Sequence, residues 1–124
     1  MDLGTFDPAA DREAARELRR RILEALRDCG VQREGDGELL TWELVTNAGR
    51  HAETPCTIAI DCATDVVHVE VRDGARAGVE TRAPDPNRIG GHGLELVAAL
   101  SESWGVRPLP EGKAVWFELR RTTG

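Results

Sequence analysis

The chain has 124 residues, of which 22 are acidic and 16 basic, and its formal net charge is −6. This length fits a single domain spanning residues 1–124. The negative charge makes nucleic acid and anionic membrane poor partners, because like charges repel. No apolar run approaches the ~20 residues of a membrane span, and the N-terminus has no apolar signal-peptide core, so we expect a cytoplasmic protein.

The first predicted element is an amphipathic helix. Asp7 followed by Pro8 is typical of a helix start, with aspartate as the N-cap and proline at the first helical position. Gly30 is predicted to end the helix, because glycine readily adopts the left-handed conformation found there. Between them, apolar residues recur every four positions along one helical face: Ala10, Ala14, Leu18, Ile22 and Leu26.

A second helix is predicted from about Asp36 to about His51. Glu43, Asn47 and His51 are four residues apart, so they project as one stripe beside the apolar face of this helix. A carboxylate and an amide oxygen on successive turns are hard ligands suited to Mg²⁺. Spacing alone leaves a second interpretation open, in which the three are ordinary surface residues.

Two alternating apolar runs, at residues 56–62 and 66–73, predict an antiparallel hairpin. The second run ends in Asp73 and Gly74. A carboxylate buried at such a strand end could accept a hydrogen bond from an exocyclic amino group such as that of adenine. Asp-Gly is also a common turn signal, so the pair alone is weak evidence for a site.

The Pro- and Gly-rich segment from Gly74 to Gly91 is predicted to be a long loop, and such loops are usually functional lids or disordered. It leads into "GGHGLELV", residues 90–97, where glycines open directly into a third helix. The free N–H groups of a helix start favour a bound phosphate; a flexible hinge is the alternative. A strand near 105–109, a turn at "PEGK" and a strand at "AVWFELR" complete the chain.

The three cysteines, Cys29, Cys56 and Cys62, are predicted to be reduced. An odd count without a C-x-x-C motif argues against a disulfide framework and against a zinc knuckle. Buried thiols that pack as small apolar groups are the preferred interpretation.

The order of helix, helix, hairpin, loop, helix and hairpin predicts an α+β fold. We expect a two-layer α/β sandwich, with one mixed, mostly antiparallel sheet and the helices on one of its faces.

Taken together and in this order, the motifs resemble those of the GHKL superfamily of ATP-binding domains (gyrase, chaperone, histidine-kinase and MutL ATPases). "ELVTNAGRH", residues 43–51, resembles the N box; "VRDG", residues 71–74, the G1 box; and "GGHGLELV" the G2 box. The chain looks most like the stand-alone bacterial anti-sigma-factor serine/threonine kinases, and the likeness covers essentially its whole length. It implies a Bergerat-type sandwich that binds ATP and Mg²⁺.

The resemblance implies a role for each matching residue. Asn47 would coordinate Mg²⁺, Glu43 would be the catalytic base that polarises the attacking hydroxyl or water, and Asp73 would bind the adenine amino group. The other matching positions would contact the nucleotide, the G2-box glycines through backbone N–H groups: Arg50, His51, Gly74, Gly91, His92, Gly93 and Leu94.

Three positions depart from the family pattern. Ala75 stands where a second glycine or small residue is usual, His92 where an arginine is common, and Gly49 where an apolar residue is usual. Glycine inside a helix costs roughly 1 kcal/mol relative to alanine. These departures bear more on kinase activity than on nucleotide binding.

Two functional interpretations therefore stand. In the first, the chain is an ATP-dependent protein serine/threonine kinase that phosphorylates an anti-sigma antagonist and so controls a sigma factor. In the second, it is a nucleotide-binding interaction module with little or no kinase activity. The resemblance also implies a homodimer.

Overall fold

The computed structural model of the chain describes residues 2–7, 11–52, 55–74, 93–110 and 112–122. For residues 47–52 and 93–95 it describes the backbone alone. The described residues contain three helices and five strands. In chain order they are β1 (Asp2–Phe6), α1 (Arg12–Asp28), α2 (Glu34–Ala52), β2 (Cys56–Cys62), β3 (Val66–Asp73), α3 (Gly93–Leu100), β4 (Ser103–Leu109) and β5 (Gly112–Arg120).

The five strands form one sheet in the order β1-β2-β3-β5-β4. Each neighbouring pair is antiparallel, so the sheet described here is fully antiparallel where a mixed one was predicted. The hairpin of β2 and β3 is confirmed, with Thr57 opposite Arg72 and Cys62 opposite Val67. The central strand is β3, which places its last residue between two neighbouring strands.

The three helices cover one face of this sheet, which confirms the predicted α+β sandwich. Side chains such as Ile58, Val69 and Phe117 alternate along the strands and are fully buried, as are Ile22 and Leu40 on the helices. Together they form one apolar core, which stabilises the fold by removing apolar surface from water. None of the described helices is long and apolar enough to cross a membrane.

Helix α1 begins later than predicted. Asp11, and not Asp7, is its N-cap, and the Asp11 side chain accepts a hydrogen bond from the Ala14 N–H at 2.9 Å. Asp7 follows β1, a strand that the sequence patterns did not predict and that pairs with β2. Gly30 ends the helix as predicted, with a φ of +71° that strains any residue with a side chain.

The prediction that all three cysteines are reduced is wrong for two of them. Cys29, just after α1, and Cys62, at the end of β2, form a disulfide whose residues are 33 apart in sequence. Arg121 joins the same two segments, because its guanidinium donates to the backbone carbonyl of Cys29 at 2.6 Å and to that of Ala63. Cys56 is a free and buried thiol, as predicted.

The outer face of the sheet is polar and carries a buried carboxylate. The Glu70 side chain is only 5% exposed and accepts hydrogen bonds or ion pairs from Arg72 at 2.5 Å and Arg107 at 3.1 Å. Beside it, the ring of His68 stacks on Trp116 with centroids 5.4 Å apart. This arrangement satisfies the Glu70 charge locally, so Glu70 has a structural role on this face.

Candidate functional site

Asp73 is the last residue of the central strand and is 7% exposed. It belongs to the same alternating set as Val69 and Val71, so it lies on the inner, helix-covered face of the sheet. Along β3, its neighbours on that face, Val69 and Val71, are apolar core residues. The sequence therefore located this carboxylate correctly as a buried group at a strand end, while its role in binding a base stays a prediction.

The thiol of Cys56 lies close enough to Asp73 to be affected by its charge. Burial, and secondarily the negative charge of Asp73, raise the pKa of Cys56 from its ordinary value to about 11. The thiol is therefore protonated and unreactive at neutral pH. Cys56 therefore contributes a small apolar surface near the carboxylate.

Gly112, the first residue of β5, approaches Asp73 more closely than any residue with a side chain could. A Cβ built at Gly112 would lie 1.9 Å from the backbone oxygen of Asp73 and 2.9 Å from the Cα of Gly74. From the sequence Gly112 is predicted only as part of a turn, because a contact between residues 39 positions apart leaves no local signal. Glycine at this position allows the two backbone segments to approach this closely.

Lys113 is a second charged residue at this place, and the sequence motifs do not include it. It is directly opposite Asp73 in the β3–β5 register, and it is 8% exposed. The sequence contains a pattern that predicts this position. Lys113 precedes Val115, Phe117 and Leu119 at the spacing of two that marks one strand face, so it is expected to face inward with them. The structure thus places an acidic and a basic residue opposite each other on adjacent strands at one end of the sheet.

Helix α2 carries the predicted base, Glu43, and the predicted metal ligand, Asn47. Gly37, in its first turns, is close to Leu119, which lies at the other end of the sheet from Asp73. Helix α2 packs against β2 and β3, and the approach of Glu43 and Asn47 to Asp73 stays a prediction. Glu43 is partly buried, as expected at the rim of the core; the side chain of Asn47 is among those not described.

The remaining predicted residues are only partly covered by the structure. Gly74 is exposed and directly follows Asp73, and Gly93 begins α3, which packs against α2. The grouping of the others around a nucleotide stays a prediction. Gly91 and His92 lie outside the described residues, and the structure gives only the helical backbone of Arg50, His51 and Leu94.

The described chemistry fits a nucleotide better than a metal bound by protein alone. The part of the chain that the structure covers holds no group of three or more His, Cys, Asp or Glu side chains that could bind a metal ion. Mg²⁺ does not require one, since it commonly keeps several waters and takes one or two protein ligands beside substrate phosphates. A buried acceptor on a rigid strand end, with backbone closely packed around it, is suited to orienting one edge of a ligand.

An antiparallel α+β sandwich with a buried carboxylate at the end of its central strand is the class of domain that these observations define. The chain belongs to the histidine kinase-like ATPase domain family, whose model matches residues 8–119. Domains of this family bind ATP, usually with Mg²⁺, so membership supports the nucleotide assignment. A search of curated proteins found no match to the chain.

Proposed function

We propose that the chain is an ATP–Mg²⁺-binding regulatory protein, an anti-sigma factor with serine/threonine kinase activity toward an anti-sigma antagonist. The observation that carries the ATP-binding part is Asp73, a buried acceptor at the end of β3 in a chain of the histidine kinase-like ATPase family. The kinase, the sigma factor, the antagonist and a homodimer rest on the resemblance of the N, G1 and G2 boxes alone.

Base recognition at this site would be a matter of hydrogen-bond geometry. When it is ionised, the Asp73 carboxylate has acceptor oxygens and no donor. It therefore selects a ligand edge that donates a hydrogen bond, as the adenine amino group does. The backbone of Gly112 packs closely against the Asp73 carbonyl, so the Asp73 backbone is positioned by a neighbouring strand. Acceptors held in place before binding increase affinity, because little ordering cost remains.

Phosphoryl transfer would require mainly positioning and charge neutralisation. Mg²⁺, when bound, neutralises phosphate charge. Asn47 would hold the metal, and Glu43 would accept the proton of the attacking serine or threonine hydroxyl. The bond from that oxygen to the terminal phosphorus forms as the bond to the leaving diphosphate oxygen breaks. The partial burial of Glu43 supports this role, because it leaves the carboxylate partly accessible to solvent.

A nucleotide-binding module with little or no turnover is the second candidate. His92 at a position where an arginine is common, and Ala75 after the G1 box, favour it. In that case the bound nucleotide would control association with a protein partner, and Glu43 would not affect function. A cytoplasmic location is part of both proposals. The Cys29–Cys62 disulfide would be unusual there, since cytosolic thiols are kept reduced.

Thermal unfolding with and without ATP–Mg²⁺ tests the ATP-binding part. Ligand at 100 times its dissociation constant should add about 2.7 kcal/mol to the free energy of unfolding. Asp73→Asn should remove this increase, because the amide presents a donor where the base needs an acceptor. Asp65→Asn is the matched control, since Asp65 is exposed in the β2–β3 turn. No ATP-dependent shift in the wild type would disprove both candidate functions.

Transfer of labelled phosphate from ATP to candidate antagonist proteins separates the two candidates. We expect Glu43→Gln to retain the ATP-dependent thermal shift and to lose transfer, because the amide cannot accept the hydroxyl proton. Wild-type protein that binds ATP but forms no phosphoprotein with any candidate antagonist favours the binding module. Equal transfer by wild type and Glu43→Gln would show that Glu43 is not the base.

A further inference from the structure

Three segments of the chain meet at the end of the sheet that lies away from Asp73. They are residues 29–32 after α1, residues 62–65 between β2 and β3, and residues 120–122 at the end of β5. We call these three segments together the junction. The Cys29–Cys62 disulfide is a covalent link within it and joins the first segment to the second. The junction thus connects the helical layer to the sheet.

Arg121 holds the same segments together without using sulfur. Its guanidinium donates to the backbone carbonyl of Cys29 at 2.6 Å and to that of Ala63. Its own backbone N–H donates to the Asp65 carbonyl at 3.0 Å. These hydrogen bonds require no bond between the two sulfur atoms, so they keep the first two segments near each other when the disulfide is open. Two thiols that are held close together re-form a disulfide readily, because little ordering cost remains.

Access to the disulfide is greater from the side of Cys62. This residue is exposed, whereas Cys29 is 3% exposed. Exchange begins when a thiolate attacks one sulfur of a disulfide, so it requires access to only one of the two. Exposed disulfides are commonly the labile or regulatory ones. The free thiol of Cys56 is buried at the start of β2, at the opposite end of that strand from Cys62, so it does not compete for the bond.

We propose that Cys29 and Cys62 form a redox switch in the folded protein, with Arg121 positioning the pair. The switch is opened by a low-molecular-weight thiol and closed by the corresponding disulfide. Disulfides in cytosolic proteins are mostly transient or redox-sensing, so a switch also reconciles this bond with the proposed cytoplasmic location. The inference does not depend on nucleotide binding.

Opening the switch takes two exchange steps with a thiol such as glutathione. The first glutathione thiolate attacks the Cys62 sulfur and the bond to Cys29 breaks, so that Cys29 leaves as a thiolate and takes up a proton. A second glutathione thiolate then attacks the sulfur of the glutathione bound to Cys62. Glutathione disulfide leaves, and the Cys62 thiolate takes up a proton. Two electrons and two protons have passed from two glutathione molecules to the pair, and closing is the reverse of these steps.

The output of the switch is the stability of the junction. The Val31 N–H donates to the Leu26 carbonyl at 3.2 Å, and the Gln32 N–H donates to the Arg120 carbonyl at 3.4 Å. With the disulfide open, hydrogen bonds and packing alone hold these two amides, so local opening should be more frequent. We expect their hydrogen exchange to be at least about fivefold faster in the open form than in the closed form.

The test measures the state of the pair in the wild-type protein as the ratio of thiol to disulfide changes. The protein is equilibrated in millimolar glutathione at ratios of thiol to disulfide from about 1 to about 1,000. Free thiols are then alkylated under denaturing conditions and counted by mass spectrometry. We expect one labelled thiol of the three at the oxidising end, all three at the reducing end, and a midpoint within the series.

A second measurement asks whether exchange takes place in the folded protein. The rate of opening by glutathione is followed in urea concentrations below the unfolding transition. We expect this rate to stay the same within about twofold, because the thiolate attacks the folded chain. A route through unfolding would instead become faster with urea, since urea raises the unfolded population.

A third measurement examines the role of Arg121. Arg121→Lys keeps the positive charge and loses the fork that reaches two carbonyls. The ratio of closed to open protein should therefore fall at least about fivefold at the same glutathione ratio. Arg120→Lys is the matched control, because the Arg120 side chain is exposed beside Glu102. This variant should match wild type within about twofold.

Each measurement has a result that overturns the inference. A pair that stays closed at the most reducing ratio is a structural disulfide, and a pair that stays open at the most oxidising ratio has no bond to switch. Opening that accelerates with urea, or equal hydrogen exchange in the two forms, also contradicts a switch in the folded protein. Equal ratios of closed to open protein for Arg121→Lys and Arg120→Lys show that Arg121 does not position the pair.

The wild-type measurements need no substitution, so they decide the question even if Arg121→Lys does not fold. They also use no nucleotide, so their outcome is separate from that of the proposed ATP binding.

Discussion

Breaking the Cys29–Cys62 disulfide should lower the free energy of unfolding substantially without altering the site. The bond closes a loop whose ends are 33 residues apart in sequence. In the chain-entropy model, such a closure contributes about 3.7 kcal/mol at 25 °C by restricting the unfolded chain. For a chain of 124 residues, whose entropy of unfolding is about 0.26 kcal/mol/K, the loss corresponds to a decrease in Tm of about 14 °C.

Scanning calorimetry of the oxidised protein, of the protein with reductant, and of Cys29→Ser/Cys62→Ser measures this effect. Alkylation under denaturing, non-reducing conditions provides an independent check, because it should label one thiol of the three, that of Cys56. Adding reductant to the double variant should leave its Tm unchanged. The Arg121 hydrogen bonds to Cys29 and Ala63 do not require the disulfide, so the reduced protein should still fold.

Two results would refute this reasoning. Labelling of all three thiols before reduction would show that the bond is absent. A decrease in Tm below about 3 °C, with the bond shown to be present, would show that loop closure does not limit the unfolded chain as calculated. The binding of ATP by the reduced protein is a further check, because the disulfide lies at the end of the sheet opposite Asp73. We expect the dissociation constant at 25 °C to be the same within about twofold.

Two further predictions concern the surroundings of Asp73. Gly112→Ala should abolish the ATP-dependent thermal shift, because its Cβ would lie 1.9 Å from the Asp73 carbonyl oxygen. Gly35→Ala is the control, because Gly35 has open space around it. This variant should retain the shift and stabilise helix α2 by up to about 1 kcal/mol. Equal shifts in the two variants would contradict the close packing. The pKa of Cys56 is about 11 in the folded state, compared with an ordinary value of 9.0 in the unfolded chain. As pH rises from about 9 to about 11, the unfolded chain therefore releases a proton that the folded protein keeps. Stability should therefore fall across this range by up to about 2.7 kcal/mol more in wild type than in Cys56→Ala, measured by denaturant unfolding; parallel pH profiles would refute the shift.

Elements with a strong local signal were predictable from the sequence. The β2–β3 hairpin needs only alternation and a short connection, and both strands begin and end as expected. Gly30 marks the end of α1 because its left-handed conformation is a property of one residue. The position of Asp73 was predictable for the same reason, because the last residue of an apolar strand is placed by the strand itself. In these cases the physical cause lies within a few residues.

Features that depend on distant parts of the chain were not predictable. Strand β1 is five residues long and contains a glycine, and it exists because it pairs with β2 some 50 residues later. That pairing separates Asp7 from α1, so the nearer Asp11 becomes the N-cap. The Cys29–Cys62 pair and the contact of Gly112 with Asp73 likewise follow from the order of the strands in the sheet.

The two edges of the sheet constrain how copies of this chain could associate. An edge strand offers unpaired N–H and C=O groups on which a second chain can add a strand. In β1 the register is irregular between Asp2 and Gly4, and Gly4 has a φ of +89°, which breaks the regular row of hydrogen-bonding groups. At the other edge, β4 contains Pro108, which has no N–H to donate. Growth of the described sheet from one molecule into the next is therefore disfavoured at both of its edges, which favours a homodimer formed through a helical surface or a sheet face.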